Sequence, residues 1–390
     1  MRKIIMFTRS LPMHGVGGME VVAWDLAQSL SRLGCDLEII TTETKEFKGK
    51  HVINGVPIHF IEGVRAGKYS RKWWKRSKEI FDLNYKEKCD CVFSVSTGAY
   101  GLLRDKMSYN DIDFVIQIHG TAWGELISKL KSRTLKGFLT WPKNLSWMFR
   151  DLVNYNNFDR VISIGKQVSD DLSKWPYAKI IAPDKHIMIK NGIDHVLFSP
   201  NEVIKNEVLE KYQIPKNKKL IVTACRLHEQ KGVLNCLRTL EKIKDDIQLF
   251  YVVVGSGPQE GYLKKVTNEL GLTDRVLFTG SLSRPQIAEL ESACDLFLFL
   301  TDRVEGLPLN VLEASAVGLD IVISEQVKLF DSIRITSVNP KEYAKNAKII
   351  VDKLSATESL TNAYLPSEYT LDYTAEKYLE TICQIKKEQK

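Results

Sequence analysis

The sequence predicts an α/β protein of two doubly wound, Rossmann-like domains that face each other across a cleft. Apolar strand-like runs alternate with helical patterns along the chain, and this alternation starts again near residue 219. Continuous apolar runs are typical of parallel strands that are covered by helices on both faces. A chain of 390 residues is also long for one core, which favours two domains.

The domain boundary is predicted near NGIDHVLFSPNE, where Asn191, Gly192 and Pro200 interrupt the regular pattern. The predicted strands before it include KIIMFTR, DLEIITT, CVFSVS and FVIQIHG, and those after it include KLIVTAC, LFYVVV, RVLFTG and LFLFLT. The predicted divisions are an N-terminal domain over 1–195, a C-terminal domain over 196–368 and a final helix over 369–390. No strand follows that helix, so we expect it to pack back toward the first domain.

The net charge is +7, and the basic residues are concentrated in the first half of the chain. Residues 1–200 contain 30 Lys and Arg against 21 Asp and Glu, a balance of +9, and the remainder has 25 against 27, or −2. No apolar run approaches the ~18 residues that a membrane-spanning helix needs, and the first residues are typical of a buried strand rather than a signal peptide. These features predict a cytoplasmic protein.

Two glutamates lie eight positions apart in EGLPLNVLEAS, directly after the apolar run DLFLFL. Pro308 suits the first turn of a helix, so a helix is predicted to begin near Leu307. Glu305 then lies in the loop at the end of the strand, and Glu313 lies in the second helical turn. The amides of Gly306, Leu307 and the first turn would bind an anion between the two carboxylates.

A nucleotide-sugar would satisfy these features, because it has phosphates at its centre and hydroxyl groups toward both ends. A solvated loop residue and a surface helix residue would also explain the two glutamates.

A pair of cations occurs earlier in the same half of the chain, in TACRLHEQKG. Arg226 directly follows a predicted strand, and Lys231 comes five residues later, before a predicted helix. Both side chains are therefore expected at the C-terminal edge of the second sheet. The planar Arg fork and the mobile Lys charge suit phosphate oxygens, although surface positions are the simpler alternative.

Taken together, these residues resemble the retaining glycosyltransferases of family four, the glycosyl transferases of group 1, which have the GT-B architecture. The resemblance covers nearly the whole chain. The motifs that carry it are GVGGME (15–20), IHG (118–120), NGID (191–194), RLHEQKG (226–232), VVGSGP (253–258), VLFTGSL (276–282) and the glutamate pair.

The resemblance implies that the second domain binds a nucleotide-sugar donor, most commonly a UDP-sugar, and that the first domain binds the acceptor. Arg226 and Lys231 would bind the donor pyrophosphate. Glu313 would bind the ribose hydroxyls, and Glu305 would bind the transferred sugar together with His119.

The resemblance implies further donor contacts in the GVGGME motif and in the VLFTGSL motif. Gly17 and Gly18 would let the N-terminal loop approach the donor phosphate, and the backbone around Leu282 would meet the base. The amides of Gly306 and Leu307 complete the implied donor site.

The resemblance also implies a reaction that retains the configuration of the sugar and needs neither a metal nor a cofactor. The cations and the helix N-terminus would stabilise the departing pyrophosphate, and the acceptor hydroxyl would attack the face that the phosphate leaves. A hexose would thus pass to a hydroxyl acceptor, as in the synthesis of lipid-linked glycans, cell-surface polysaccharides or glycolipids.

The chain departs from the family pattern after the glutamate pair. Asp320 stands where the family usually has proline, and 325–338 lacks the usual glycine-rich turn. The role of 320–338 is therefore left open.

Several alternatives compete with a transferase. GVGGME is similar to a dinucleotide fingerprint, but Glu20 fills its third glycine position. Asp111 and Asp113 match a metal-binding Asp-x-Asp pattern, but they directly precede a predicted strand. A nucleotide-sugar epimerase would need further acid/base residues, which we do not find. A non-catalytic binding subunit would be expected to lack one of the motif residues, and all are present.

Two basic stretches predict peripheral association with the cytoplasmic face of an anionic membrane. The segment 65–78 has seven Lys and Arg together with Trp73 and Trp74, the segment 126–150 has six Lys and Arg, and neither segment contains an acid. Basic residues contribute ~1 kcal/mol each near anionic lipid, and tryptophan favours the headgroup boundary. No nucleic-acid recognition motif accompanies the charge. A solvated basic face with aromatic residues in the core is the alternative.

Overall fold

The structure is a computed structural model that describes residues 2–15, 17–124, 135–201, 204–355 and 363–388. It divides into two compact units. The first comprises Met1–Gly192 with Glu368–Lys390, and the second comprises Ile193–Ser367. Each unit contains a largely parallel sheet with helices packed on it, which confirms the predicted fold class.

The first unit contains an eight-stranded sheet in the order β3-β4-β2-β1-β5-β6-β7-β8. All neighbouring strands are parallel except β3 and β4, which form an antiparallel hairpin. Its strands are β1 Lys3–Phe7, β2 Asp36–Thr42, β3 Gly49–Ile53, β4 Val56–Ile61, β5 Cys91–Val95, β6 Asp113–Ile118, β7 Arg160–Ser163 and β8 His186–Met188. Its first four helices are α1 Gly18–Arg32, α2 Arg71–Asn84, α3 Leu135–Tyr155 and α4 Lys166–Leu172.

The second unit contains a six-stranded, fully parallel sheet in the order β11-β10-β9-β12-β13-β14. The strands are β9 Lys219–Ala224, β10 Leu249–Val254, β11 Val276–Gly280, β12 Leu296–Phe299, β13 Asp320–Ser324 and β14 Ile335–Val338. The helices are α5 Lys205–Lys211, α6 Val233–Glu241, α7 Glu260–Glu269, α8 Arg284–Ser292, α9 Leu309–Val317 and α10 Tyr343–Ser355. The strand order reverses between β9 and β12, and ligands of doubly wound sheets bind at such a switch point.

Alternate residues of the central strands supply the two core layers of the first sheet. Ile5 packs in one layer with Phe81 of α2, and Ile4 packs in the other with Tyr378 of the last helix. All four side chains have no exposed surface. This burial on both faces is why the strands appear as continuous apolar runs in the sequence.

The last helix, α11 (Leu371–Glu388), belongs to the first unit and contacts α1 and β6 there. Ala375, Tyr378 and Ile382 are fully buried, and their spacing places them along one face of the helix. Gly192 allows the chain to approach this helix, because a Cβ there would lie 2.1 Å from the Thr370 carbonyl oxygen.

Candidate active site

The loops that follow β9 and β12 hold three of the residues singled out in the sequence, at the switch point of the second sheet. Arg226 comes two residues after the end of β9, and Lys231 ends the short 3-10 turn Glu229–Lys231. Glu305 follows β12. The two sequence motifs therefore meet at neighbouring strand ends.

Lys231 and Glu305 form a direct ion pair, with 2.7 Å between the ammonium nitrogen and a carboxylate oxygen. Their side chains are only 27% and 12% exposed. The Lys231 nitrogen also lies 5.6 Å from the centre of the Phe299 ring. Loss of either partner would leave the other charge partly buried and unpaired.

The backbone around Lys231 fixes the position of this side chain. Gly232 has a left-handed φ of 71°, and a Cβ there would lie 1.8 Å from the Leu300 carbonyl oxygen. The Gln230 carbonyl accepts hydrogen bonds from the Thr301 hydroxyl at 2.8 Å and the Asp302 amide at 3.1 Å. The β9 and β12 loops are thereby held against each other.

Arg226 is exposed, and its side chain has no hydrogen-bonding or ion-pair partner among the described residues. Two glycines of the loop after β10 allow that loop to lie against the Arg226 loop. A Cβ on Gly255 would lie 2.0 Å from the Cys225 carbonyl oxygen, and one on Gly257 would lie 2.2 Å from that of Leu227. The VVGSGP motif thus supports the loop that carries Arg226.

The helix after Glu305 begins slightly later than predicted. Pro308 has an extended ψ of 113° and precedes the first helical residue, Leu309, so the helix begins two residues after Leu307. Gly306 and Leu307 lie in the loop and are partly buried. The first-turn amides of α9 have no acceptors within the helix and favour an anion.

Glu313 lies in the second turn of α9 and is only 8% exposed. A guanidinium nitrogen of Arg284 lies 3.5 Å from its carboxylate. Arg284 begins α8, two residues after the half-buried Leu282. The residue predicted to contact the base, Leu282, therefore lies near the residue predicted to bind the ribose, Glu313.

Glu291 of α8 is fully buried near Glu313, and neither of its carboxylate oxygens has a hydrogen-bonding partner among the described residues. Burial, followed by the charge of Glu313, raises the pKa of Glu291 well above its usual range. This shift favours the neutral form of Glu291, which adds less negative charge beside Glu313 than an ionised carboxylate would.

His119 lies in the first unit, directly after β6. Its Nε2 is 2.9 Å from the Gln117 amide oxygen, and the Gln117 amide nitrogen donates to the Tyr378 hydroxyl at 2.7 Å. Burial, followed by the charge of Arg9, lowers the pKa of His119 to about 3. The ring is therefore neutral, donates from Nε2, and presents Nδ1 as an acceptor.

Gly17 and Gly18 also lie in the first unit, where Gly17 caps α1 and Gly18 begins it. A Cβ on Gly17 would lie 2.4 Å from a carboxylate oxygen of Glu20. The other oxygen of Glu20 accepts a hydrogen bond from the Ser10 hydroxyl at 2.8 Å. The residue that fills the third glycine position of the fingerprint therefore has a local structural role.

The Asp-x-Asp pattern lies at the start of β6, at the opposite end of that strand from His119. Asp113 is buried and forms an ion pair with Arg2, and Asp111 is exposed. In the described ranges, no group of three or more His, Cys, Asp or Glu side chains could hold a metal ion.

Asp320, which replaces the usual proline, also has a structural partner. Its carboxylate lies 3.2 Å from the guanidinium of Arg334, which precedes β14. Glu305 forms a backbone bridge with Val327 in the same atypical segment. The segment therefore supports the loop that carries Glu305.

The sequence did not single out Arg9, Gln117, Tyr378 or Arg284, although each contacts or acts on a site residue. The position of Arg9 could have been recognised in the sequence, because Arg9 comes two residues after a strand, as Arg226 does. Tyr378 has no such signal in the sequence, since its partner Gln117 lies 261 positions away in the chain.

Comparison with known proteins identifies the family and the fold of the chain. Residues 16–197 match the model of Glycosyltransferase Family 4, and residues 204–349 match that of Glycosyl transferases group 1. The chain is 32% identical over 141 residues to the glycosyltransferase EpsF of Bacillus subtilis, which is 36% of each protein. It is 25% identical over 250 residues to alpha-monoglucosyldiacylglycerol synthase of Streptococcus pneumoniae, or 62% of this chain and 54% of that protein. The chain thus spans about a third to a half of these relatives' length.

Among solved structures, the chain is similar to HepE of Anabaena in complex with UDP-glucose. The TM-score is 0.72 at 16% identity, and the alignment covers 98% of this chain and 100% of HepE. One family model matches most of the first unit and the other matches most of the second unit. The two-sheet fold of the chain agrees with both matches. The chain belongs to the group 1 glycosyltransferases of GT-B fold.

Proposed function

We propose that the chain is a retaining glycosyltransferase that moves a hexose from a nucleotide-sugar, a UDP-sugar, to the hydroxyl group of an acceptor. The observation that carries this proposal is the Lys231–Glu305 pair at the switch point of the second sheet. A cation for phosphate and a carboxylate for sugar hydroxyls lie side by side there. The likeness to HepE in complex with UDP-glucose supports the donor class.

The donor would bind to the second unit along its strand ends. Arg226, Lys231 and the amides of the α9 N-terminus would bind the pyrophosphate. Glu313 would accept hydrogen bonds from the ribose, and Glu305 would accept them from the transferred sugar. Gly306 and Leu307 would contribute backbone amides, and the base would lie against the backbone at Leu282.

In the reaction, the acceptor oxygen forms a bond to the anomeric carbon while the bond from that carbon to the phosphate oxygen breaks. The acceptor proton passes to the departing phosphate, which leaves on the same face. Lys231 and Arg226 would stabilise the negative charge that develops on the pyrophosphate, and so no metal is needed for that step. His119 would position the sugar through Nδ1 rather than attack it.

The first unit would supply the acceptor site, with Gly17 and Gly18 near the donor phosphate. We propose a lipid-linked glycan as the acceptor, in cell-surface polysaccharide or glycolipid synthesis. The similarity to a synthase whose named product is a glucosyldiacylglycerol supports an acceptor of this kind.

Docking on the cytoplasmic face of an anionic membrane would bring such an acceptor within reach. Arg71, Lys72, Lys75 and Arg76 are exposed on α2, and basic side chains near anionic lipid contribute ~1 kcal/mol each. No helix within the described residues has the length and apolar character to span a membrane.

The tryptophans of α2 do not take part in the proposed docking. Trp73 is fully buried and donates to the Gly98 carbonyl, and Trp74 is half-buried and donates to that of Thr97. The expectation that they face lipid is therefore wrong. Much of the second basic stretch, 126–150, lies outside the described side chains, but Phe149 of α3 is 58% exposed.

The test is to measure donor turnover with and without a saccharide acceptor, each in the presence and absence of EDTA. A transferase consumes the donor much faster with acceptor, an epimerase converts it without acceptor, and a binding subunit does neither. We expect the first result and no effect of EDTA. Loss of activity in EDTA with rescue by manganese would contradict the proposed metal-independent step.

A further inference from the structure

The first sheet carries an arginine at the position that corresponds to Arg226 in the second. Arg9 comes two residues after the end of β1, as Arg226 does after β9. Strand order in the first sheet reverses between β1 and β5, so Arg9 lies at its switch point. His119 follows β6, the next strand, at the same C-terminal edge.

Local contacts hold Arg9 in place. Its guanidinium carbon lies 5.5 Å from the centre of the Tyr69 ring, and its backbone amide lies 3.3 Å from the Tyr69 hydroxyl. The Arg9 carbonyl accepts a hydrogen bond from the Thr42 hydroxyl at 2.8 Å. The side chain is therefore stacked on a ring and anchored at its base.

Among the residues that the structure describes, the guanidinium nevertheless has no counter-ion. Arg9 is only partly exposed, its Nε is buried without a hydrogen-bonding partner, and no acid within the described residues forms an ion pair with it. Glu20, in the first turn of α1, accepts a hydrogen bond from the Ser10 hydroxyl instead. A partly buried cation without a partner costs free energy, which an anionic ligand would recover.

The charge of Arg9 also acts on the candidate active site. After burial, it is the second cause that lowers the pKa of His119. An anion bound to Arg9 would therefore lie close enough to His119 to change the environment of its ring.

We propose that Arg9 binds an anionic group of the acceptor, a phosphate or a carboxylate, and thereby sets the acceptor beside His119. This inference rests on the proposed function, in which the first unit supplies the acceptor site. The planar guanidinium fork matches both anions, which the point charge of a lysine does not. The acceptor class is thus an acidic or phosphorylated glycan rather than a neutral sugar.

The competing ligand for Arg9 is the donor pyrophosphate, so the experiment removes the donor site first. Inorganic phosphate and malonate are titrated into the full chain carrying Arg226→Ala and Lys231→Gln, and the ring signals of His119 are followed by NMR. We expect either anion to shift these signals. The shift should vanish when Arg9→Gln is added, and it should persist with the exposed control Arg104→Gln.

The result that overturns the inference is no response to either anion, or a response that survives Arg9→Gln. A different result is a response that is lost in the chain that carries only the two donor-site substitutions, Arg226→Ala and Lys231→Gln, and kept in the chain that carries only Arg9→Gln. That result would assign the anion to the donor site. These binding measurements do not depend on turnover, so they test the Arg9 site independently of the proposed transferase activity.

A kinetic arm completes the test in the otherwise native chain. Arg9→Gln should raise the KM for an anionic acceptor by ~10-fold or more while the KM for the donor stays unchanged. Equal loss with a neutral acceptor, or a raised donor KM, would also overturn the assignment.

Discussion

At the scale of single residues, the two carboxylates of the candidate site differ in their partners and therefore in their expected roles. Glu305 pairs with Lys231 at 2.7 Å, whereas Glu313 lies beside Arg284 and the buried Glu291, whose pKa is raised. The first pair occupies the strand ends where a sugar phosphate would react. The second lies deeper on α9, where an unreactive part of the ligand would bind.

The corresponding prediction concerns Glu305→Gln and Glu313→Gln. Glu313 would bind ribose equally in the ground and transition states, so its substitution should mainly raise the donor KM. Glu305 lies beside the reacting sugar, so its substitution should mainly lower kcat. Steady-state kinetics with the donor varied would measure both, and the opposite assignment of the two effects would show that the roles are exchanged.

A second residue-scale prediction concerns His119 and pH. The folded pKa is lowered to about 3, below the unfolded value of ~6.5, so the unfolded chain binds more protons between these pH values. Stability is therefore lost as the pH falls through this window. From pH 7 to 5.5 the loss from this group is about 1 kcal/mol. Urea unfolding should show that His119→Gln is less sensitive to this pH change than the native chain, and equal sensitivity would contradict the buried neutral ring.

Sequence alone predicted the site residues that belong to short local motifs. Arg226 and Lys231 could be placed because a strand end and a helix start lie within a few residues of them. The direct partner of Lys231, Glu305, is 74 positions away in the chain, so the ion pair itself depends on which strands become neighbours. Local patterns do not contain that information.

At the scale of elements, the C-terminal helix α11 does more than cover one face of the first sheet. Tyr378 holds the Gln117 amide in the orientation that gives His119 its Nε2 donor bond. The helix therefore controls which ring nitrogen of His119 remains available to accept a hydrogen bond. Its role depends on one buried hydroxyl rather than on packing alone.

We predict that Tyr378→Phe lowers kcat with little change in donor KM. The ring and its packing remain, but Gln117 loses the partner that fixes its amide, and the His119 tautomers become mixed. Nitrogen chemical shifts of the His119 ring would reveal the mixture, which a purely structural effect would not cause. Tyr373→Phe is the matched control, because Tyr373 is 39% exposed on the same helix. Unchanged kcat and an unchanged His119 tautomer in Tyr378→Phe would refute the positioning role.

The elements also show where sequence patterns fail. The direction of Trp73 and Trp74 on α2 depends on Gly98 and Thr97, which follow β5 and accept hydrogen bonds from the two indoles. A Cβ on Gly98 would lie 2.3 Å from the Phe7 carbonyl oxygen, so this connection packs closely on β1. The acceptors for both indoles exist only in the folded sheet, so the sequence alone indicated incorrectly that these two tryptophans face lipid.

At the scale of the whole molecule, the excess positive charge belongs to the first half of the chain, 30 basic against 21 acidic residues in 1–200. We predict that the protein sediments with anionic vesicles but not with neutral ones, and that high salt releases it. Charge attraction is screened over ~8 Å at physiological ionic strength. The substitution of Arg71, Lys72, Lys75 and Arg76 by Ser should abolish binding.

The matched control for the membrane prediction removes four exposed lysines of the second unit, Lys216, Lys265, Lys345 and Lys348, and should leave binding intact. Equal binding to neutral and anionic vesicles would contradict the electrostatic docking. A loss of binding in the control variant as large as in the α2 variant would show that net charge, rather than the α2 face, is responsible.

The central claim is that the switch point of the second sheet binds a nucleotide-sugar through Arg226 and Lys231. The most direct measurement is the thermal unfolding midpoint of the full chain with UDP-glucose and related nucleotide-sugars, compared among the native chain, Arg226→Ala, Lys231→Gln and the exposed control Lys265→Ala. A donor at 100 times its Kd should add ~2.7 kcal/mol of stability to the native and control chains and much less to the two site variants. If no nucleotide-sugar raises the midpoint, or if both site variants keep the full shift, the assignment of the donor site is contradicted.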